Sequence, residues 1–245
     1  MDRWNGRTAI VTGASSGMGS RMASDLVKVG MKVVGVARRV EVVQKLADSL
    51  KGSKGQLKPM KCDLTDPKQI EAVFQWAEKN WGGVHLLINN AGVLTMQPLE
   101  DCDPMAVKTM FDTNVVALCH FAKLAIQSMK KHGIEEGHII NINSYVGHRI
   151  FGVPGMAPYC ASKNAVTVLT ESLRRELGAE NSKIKVTSLS PGLVGTELSD
   201  TIHVPESAPR LDAQEVSDTV MYVISTPPGI NVVELTVMKT GDVIY

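Results

Sequence analysis

The chain has 245 residues, 44% of them hydrophobic, and a formal net charge of +1 at pH 7. This length suits one α/β domain with a full core, and the balanced charge argues against a nucleic acid or an acidic membrane as partner. Its apolar runs are too short to span a membrane, and residues 1–6 lack the apolar core of a secretory signal.

The cysteines and histidines show no metal-binding pattern. The four cysteines have neither paired nor metal-ligand spacing, and they are Cys62, Cys102, Cys119 and Cys160. We therefore expect reduced thiols and a cytoplasmic protein. The six histidines form no recognisable ligand pair, so we expect no metal.

The first predicted elements are a strand at 7–12, a glycine-rich turn and an amphipathic helix that ends at Gly30. This order is typical of a dinucleotide site, because the glycines let backbone N–H groups approach a pyrophosphate at the positive end of the helix. A triphosphatase loop fits poorly, since Ser20 and Arg21 replace its Gly-Lys-Ser/Thr ending. The expected cofactor contacts are Gly13, Ser15, Ser16, Gly17, Met18 and Gly19.

Strand and helix signals then alternate along the chain. Further strands are predicted at 32–37, 57–61, 85–89, 138–142, 184–189 and 232–237. Such alternation predicts an α/β fold in which helices cover both faces of a parallel sheet and ligands bind beyond the carboxyl ends of the strands. We predict one domain over 1–245, a doubly wound Rossmann sheet of seven strands.

The residues after the second strand indicate the cofactor. NAD sites place an acidic residue here to bind the ribose 2′-hydroxyl, whereas this chain has Ala37, Arg38 and Arg39. A guanidinium grips a 2′-phosphate through charge-assisted bonds. We therefore predict NADP rather than NAD, with Arg38 the main phosphate ligand and Arg39 the second.

Tyr159 and Lys163 are four residues apart in a predicted helix and so share one face. A free phenol has a pKa of roughly 10, and a fixed cation lowers it. This spacing therefore predicts a tyrosine that serves as general acid and base.

Three motifs in order carry a family resemblance: Thr12 to Gly19, Asn89-Asn90-Ala91-Gly92, and Tyr159 to Lys163. From about residue 7 to about 240 the chain resembles the short-chain dehydrogenase/reductase family. The segments 37–41 and 144–149 resemble a subgroup of cytosolic reductases that includes insect farnesol dehydrogenases and a vertebrate steroid-acting member.

The resemblance implies roles for individual residues. Tyr159 would exchange a proton with the substrate oxygen, Lys163 would lower the pKa of Tyr159 and bind the nicotinamide ribose, and Ser144 would hold the substrate oxygen. Asn114 would anchor a water that links Lys163 to solvent. Further cofactor contacts would come from Asp63, Leu64, Asn89, Asn90, Ala91, Gly92, Pro191, Gly192, Val194 and Thr196.

The segments that border the site are apolar, which suits a lipophilic small molecule. The expected substrate contacts are Val146, Phe151, Met156, Leu198 and Ile202. An isoprenoid such as farnesol, a retinoid and a steroid all stay open as substrates. The loop at about 193–210 has few apolar anchors, so we expect a mobile lid. The family pairs through helices near 104–131 and 158–178, which implies a homodimer or a homotetramer.

Two alternatives from other classes stay open. A catalytically silent NADP-sensing regulator could use this fold, although it would be expected to lose the tyrosine or the lysine. A nucleotide-dependent methyltransferase would share the glycine-rich turn but leave the tyrosine–lysine pair unexplained.

Overall fold

The computed structural model describes residues 1–150, 153–202, 205 and 207–242. Seven parallel strands form one sheet in the order β3-β2-β1-β4-β5-β6-β7. The prediction of a seven-stranded doubly wound sheet is confirmed, with each strand end within two residues of its predicted position. The strands are β1 Thr8–Thr12, β2 Lys32–Ala37, β3 Gln56–Lys61, β4 Leu86–Asn89, β5 His138–Ile142, β6 Lys185–Pro191 and β7 Glu234–Val237.

Helices cover both faces of the sheet. They are α1 Gly17–Lys28, α2 Val40–Ser49, α3 Pro67–Trp81, α4 Pro104–Phe111, α5 Ala117–Lys131, α6 Ala157–Ala179 and α7 Ala213–Ser225. Successive side chains of a strand point to opposite faces. Ala9 and Val11 of β1 accordingly pack in the core with α1, α2 and α7, whereas Ile10 packs with α3, α5 and α6.

Side-chain caps fix several helix starts. The Asp66 carboxylate accepts a hydrogen bond from the Lys68 N–H at 2.9 Å, and Asp103 does the same for Met105 at 2.9 Å. Each cap precedes a proline at the first helical position, where the missing N–H has no intrahelical partner. The sequence Asp66-Pro67 thus marks the start of α3, and Asp103-Pro104 that of α4.

A π-helical turn, Asp112–Val116, joins α4 to α5. It puts Asn114 on the inner side of the helix pair, where the residue is buried. Such turns frequently occur at functional sites, because the extra residue per turn redirects side chains.

The order of the strands fixes where a ligand can bind. From β1 the chain proceeds to one side of the sheet through β2 and β3, and from β4 to the other side through β5, β6 and β7. The crevice beyond the carboxyl ends of β1 and β4 is therefore the expected ligand site. Within the described part of the chain, no helix is long and apolar enough to cross a membrane.

Candidate active site

The glycine-rich turn after β1 forms a tight cradle. Gly17 begins α1 with a φ of +51°, in the left-handed region that favours glycine. At Gly19, an added Cβ would lie 2.2 Å from the carbonyl oxygen of Gly13 and 2.5 Å from Nδ2 of Asn90. Ser16 precedes α1 and its side chain does not cap the helix. The first N–H groups of α1 thus stay available to an anion.

The close approach at Gly19 predicts the effect of a single methyl group. We expect Gly19→Ala to lower the free energy of unfolding by about 1–3 kcal/mol, because the Gly13 carbonyl must move. That movement also distorts the cradle, so NADPH should bind at least about tenfold more weakly. Thermal unfolding and fluorescence titration measure the two effects.

The control is Gly178→Ala at an exposed position of α6 with no atom near the added Cβ, and it should be neutral or stabilising. Unchanged NADPH affinity in Gly19→Ala would contradict a cofactor site at this turn.

The turn after β4 is tied to the glycine cradle. Oγ1 of Thr12 accepts hydrogen bonds from the backbone N–H groups of Asn90 and Ala91, each at 3.0 Å. In return, Nδ2 of Asn90 donates to the Thr12 carbonyl at 2.9 Å. The motif that contains Asn90 and Ala91 thus stiffens the rim of the crevice. Asn89 is instead buried, and its amide donates to Oδ1 of Asn141 at 2.9 Å.

The basic residues after β2 lie beside this cradle. The Arg39 guanidinium donates to Oγ of Ser16 at 3.2 Å and to the Glu197 carboxylate at 2.9 Å. Both partners of this ion pair are solvent-exposed, so it adds little stability and opens easily. Arg38 is exposed. It lies near enough to Asp63 to help lower the pKa of that carboxyl, although hydrogen bonds from Thr65 contribute more.

Asp63 and Leu64 follow β3 at the same edge of the sheet. The Asp63 carboxylate accepts from the N–H and the hydroxyl of Thr65, at 2.9 and 2.8 Å, so it stays ionised. Leu64 is partly buried against the core. The structure therefore brings the predicted cofactor contacts after β1, β2 and β3 to the carboxyl ends of three neighbouring strands.

Tyr159 and Lys163 lie on the buried face of α6, as their spacing predicts. Tyr159 forms a hydrogen bond with Ser144, which follows β5. Nζ of Lys163 donates to the carbonyl of Ile142 at 2.9 Å and lies 5.9 Å from the centroid of the Tyr159 ring. The structure therefore brings the three residues together.

The expectation that Lys163 lowers the pKa of Tyr159 is wrong for this structure. Burial raises the pKa of Tyr159 to about 12, and the Ser144 hydrogen bond opposes that rise only in part. Burial also lowers the pKa of Lys163 to about 8. The physical reason is that the ammonium group is directed at the Ile142 carbonyl, so desolvation dominates both groups.

Asn114 is held on both ends of its side chain. Its Oδ1 accepts from the Val93 N–H at 2.9 Å, and its Nδ2 donates to the Val93 carbonyl at 3.0 Å and to Oγ of Ser162 at 3.1 Å. A Cβ added at Gly92 would lie 3.5 Å from Oδ1 of Asn114 and 3.9 Å from Nζ of Lys163. Gly92 therefore lies close to both the amide and the ammonium group.

A cleft opens above Tyr159 and Ser144. Four of the five predicted substrate contacts line it, and they are Val146, Met156, Leu198 and Ile202. Phe151, the fifth, lies outside the described residues. The same cleft is lined by five predicted cofactor contacts, namely Met18, Pro191, Gly192, Val194 and Thr196. The predicted substrate contacts and these predicted cofactor contacts thus share one cavity.

Sequence reasoning missed part of this lining. Met238 and Asp242 line the cleft from the segment after β7, and Asn143, Tyr145 and Ser199 also contribute. The sequence could have indicated Met238 and Asp242, because they follow β7. A parallel strand must end at the same edge of the sheet as the other strands. Pro191 pairs with Val237 in the ladder, which brings Met238 against Gly192.

The loop predicted at about 193–210 is closed at its base. Val194 forms a bridge with Leu211, and the Leu211 N–H donates to the Leu193 carbonyl at 2.8 Å. A Cβ added at Gly17 would lie 3.0 Å from Cγ2 of Thr196, so the loop begins against the glycine cradle. Positions 203, 204 and 206 lie outside the described residues, and the mobility of the loop stays a prediction.

The described residues hold neither a metal-binding group nor a disulfide. Across the residues that the structure describes, no three His, Cys, Asp or Glu side chains are grouped so as to hold a metal ion. All four cysteines are free thiols, and Cys62 is buried. Burial raises the pKa of Cys62 to about 12, which makes this thiol unreactive.

Comparisons with known proteins agree with the site. Residues 7–206 match the family model described as short chain dehydrogenase. The chain is 46% identical to farnesol dehydrogenase of Aedes aegypti, over 99% of each chain. It is 40% identical to dehydrogenase/reductase SDR family member 11 of Gallus gallus, over 99% of this chain and 100% of that protein.

Solved structures show the same architecture. A short-chain type dehydrogenase/reductase from Mycobacterium marinum superposes with a TM-score of 0.88 at 29% identity, covering 96% of this chain and 95% of that one. A short chain dehydrogenase from Burkholderia cenocepacia in complex with NADP gives a TM-score of 0.86 at 26% identity, covering 96% and 98%. The chain is an oxidoreductase that belongs to the short-chain dehydrogenase family.

Proposed function

We propose that the protein interconverts a lipophilic alcohol and its aldehyde or ketone, with NADP(H) as the hydride carrier. One observation carries the proposal: the hydrogen-bonded hydroxyls of Tyr159 and Ser144 lie in an apolar cleft that Met18, from the glycine cradle, also lines. A substrate oxygen at these hydroxyls would therefore lie next to the nicotinamide end of a cofactor held by that cradle.

The residues fit a dinucleotide phosphate. The cradle at Gly19 leaves no room for a side chain, and the uncapped start of α1 offers N–H groups to a pyrophosphate. Arg38 and Arg39 supply positive charge where a ribose 2′-phosphate would lie, and no carboxylate follows β2 directly. We infer NADP on these grounds, with Arg38 and Arg39 as its phosphate ligands.

The protein's own groups would handle the proton. When bound, the cofactor supplies or accepts the hydride. Tyr159, whose raised pKa keeps it protonated, would donate its proton to a carbonyl oxygen during reduction. Ser144 would stabilise the developing negative charge on that oxygen. Lys163 would bind the nicotinamide ribose, and Asn114 would help hold a water on the path from Lys163 to solvent.

The cleft favours an elongated apolar substrate. Its apolar lining comes from several segments, including Leu94 after β4, Met156 just before α6, Leu198 in the loop after β6 and Met238 after β7. No arginine is among the described residues that line it, so none of them offers a guanidinium to a substrate carboxylate or phosphate. We propose an isoprenoid alcohol such as farnesol first, in line with the relative named farnesol dehydrogenase, and a retinoid or steroid as the alternatives.

The loop after β6 should distinguish substrates by length. Leu198 and Ile202 line the cleft, so Leu198→Ala and Ile202→Ala should each lower kcat/KM about tenfold for farnesol and less than about threefold for butanol. NADPH affinity should not change. Leu99→Ala, at a leucine that is 71% exposed, is the matched control. Equal factors for both alcohols would show that this loop does not contact the substrate.

A cofactor titration separates the enzyme from both alternatives. We expect NADPH to bind with quenching of protein fluorescence, and S-adenosylmethionine not to bind. Binding of S-adenosylmethionine in place of NADPH would indicate a methyltransferase. NADPH binding without turnover of any alcohol or carbonyl compound would indicate a dinucleotide-sensing regulator.

Assembly and location stay proposals. Val116 in the π-helical turn and Val168 on α6 are each 58% exposed, and both lie in the helices through which the family pairs. We propose a homodimer or homotetramer formed through this surface, in the cytoplasm. Light scattering at micromolar concentration should show a dimer or a tetramer, and a monomer would contradict both.

A further inference from the structure

Three polar side chains meet beside the cleft, and none of them belongs to the site described above. Nε2 of His148 lies 2.8 Å from Oγ of Ser190 and 3.0 Å from Oε1 of Glu234. Oγ of Ser190 lies 2.9 Å from the same Oε1. A serine, a histidine and a carboxylate thus form a closed triangle, which we call the His148 cluster.

The proton positions in this triangle follow from its geometry. The Ser190 hydroxyl donates to the Glu234 carboxylate. Its oxygen must then accept from His148, so Nε2 of His148 carries the proton. This arrangement differs from a hydrolytic triad, in which the serine and the carboxylate contact opposite nitrogens of the imidazole. Ser190 is also completely buried and cannot meet a substrate. The cluster therefore joins segments of the fold and is not a nucleophilic site.

Each member belongs to a different wall of the cleft. His148 directly follows the turn Tyr145–Gly147. Ser144 directly precedes this turn and caps it, and Val146 lies within it. Ser190 directly precedes Pro191, and Glu234 begins the strand that leads to Met238. All of these neighbours line the cleft. The His148 cluster thus connects three cleft-lining segments through side chains that stay outside the cleft.

The turn that carries Ser144 has a second anchor, on α6. The Gly147 carbonyl accepts from Nδ2 of Asn164 and from Oγ1 of Thr167, each at 3.1 Å. These bonds fix the turn against α6. The start of the turn is tied to β6 by the Asn143 N–H, which donates to the Leu189 carbonyl at 2.7 Å. His148 ties the other end of the turn to β6 through its contact with Ser190. Its side chain is only 25% exposed, so the contact is partly shielded from water.

We propose that His148 is a positioning residue, held by Ser190 and Glu234, that sets the spacing between the Ser144 turn and the Pro191 turn and so the width of the substrate cleft. This inference rests on the proposed function, because it assigns the cleft to substrate. Loss of the cluster would let the two turns separate and would misplace the Ser144 hydroxyl relative to Tyr159. Small displacements of this kind can lower turnover substantially.

The test compares alanine variants with a variant that restores the donor. A glutamine amide can place an N–H near the position of Nε2, so His148→Gln should rescue what His148→Ala loses. For His148→Ala and Glu234→Ala we expect kcat/KM with decanal and NADPH to fall by about ten- to a hundredfold. The affinity for decanamide, an unreactive carbonyl compound that would bind the same cleft, should fall in parallel. NADPH affinity should not change.

Two controls make the result decisive. His132→Ala removes a histidine that lies beside Gly83, near the amino end of β4 and away from the cleft, and should leave all three quantities unchanged. The double variant of His148 and Glu234 should be no worse than either single one, because both lie in one cluster. Additive losses, no rescue by glutamine, or normal decanamide binding in His148→Ala would each overturn the positioning role. If the wild type binds decanamide without reducing decanal, the proposed function has failed, and the decanamide affinities alone then decide the role of His148.

Discussion

The Tyr159→Phe variant should lose at least about a thousandfold in kcat and keep its Kd for NADPH within about threefold. Only the phenolic hydroxyl is removed. Tyr159 is buried and contacts Met110 and Met156 in a small apolar cluster that the phenyl ring still fills. Ser144 keeps its contact with the Val146 N–H at 3.4 Å. The fold and the cofactor site should therefore persist while proton transfer is lost.

Tyr222→Phe is the matched control, since Tyr222 is 61% exposed on α7, on the outer surface of the fold. It should retain full turnover. Single-turnover kinetics with NADPH and an aldehyde would show whether the chemical step itself is slowed. A Tyr159→Phe variant with more than about a tenth of the wild-type kcat would rule out this residue as the general acid, because proton transfer contributes a factor of at least about a hundred.

The Arg38→Ala/Arg39→Ala double variant should lose about a hundredfold in kcat/KM with NADP. Each charge-assisted hydrogen bond to a phosphate contributes about 1.5–3 kcal/mol, and two of them account for a loss of this size or larger. The kcat/KM with NAD should stay within about threefold of the wild-type value, since NAD has no 2′-phosphate. The preference between the two cofactors should then disappear.

Arg175→Ala controls for the loss of positive charge, because Arg175 is an exposed arginine on α6 that pairs with Glu171. The Arg175→Ala variant should not change kcat/KM with either NADP or NAD. The single variants show which arginine contributes more. We expect kcat/KM with NADP to fall further in Arg38→Ala than in Arg39→Ala. If the double variant loses NAD and NADP activity equally, the arginines serve the fold and not the 2′-phosphate.

Most of the fold could be predicted because the five central strands of the sheet are buried on both faces. Strand β1, for example, is buried throughout and reads as a continuous β-branched and apolar run. The start of β7 was predicted two residues early, at Val232. The carbonyl of Val232 accepts from the Thr187 hydroxyl at 2.6 Å, so a side-chain hydrogen bond is formed there in place of a backbone hydrogen bond between strands. Sequence patterns do not reveal such a substitution.

The shared face of Tyr159 and Lys163 could be predicted from their spacing alone. The pKa values could not, because they depend on where the ammonium group points and how deeply both groups are buried. In the same way the π-helical turn at Asn114 has no sequence signal, since the helical pattern continues through it. The His148 cluster joins residues 42 to 86 positions apart, and only the sheet order brings them together.

One measurement tests the central claim most directly. The wild-type protein is incubated with NADP(H) and a panel of alcohols and aldehydes that extends from butanol to farnesol and includes a retinol and a hydroxysteroid, and NADPH absorbance is followed. We predict NADP-dependent turnover in which kcat/KM rises with apolar size, with at least one of the lipophilic compounds the best substrate. NADPH that binds tightly but is neither formed nor consumed with any member of the panel would contradict the account.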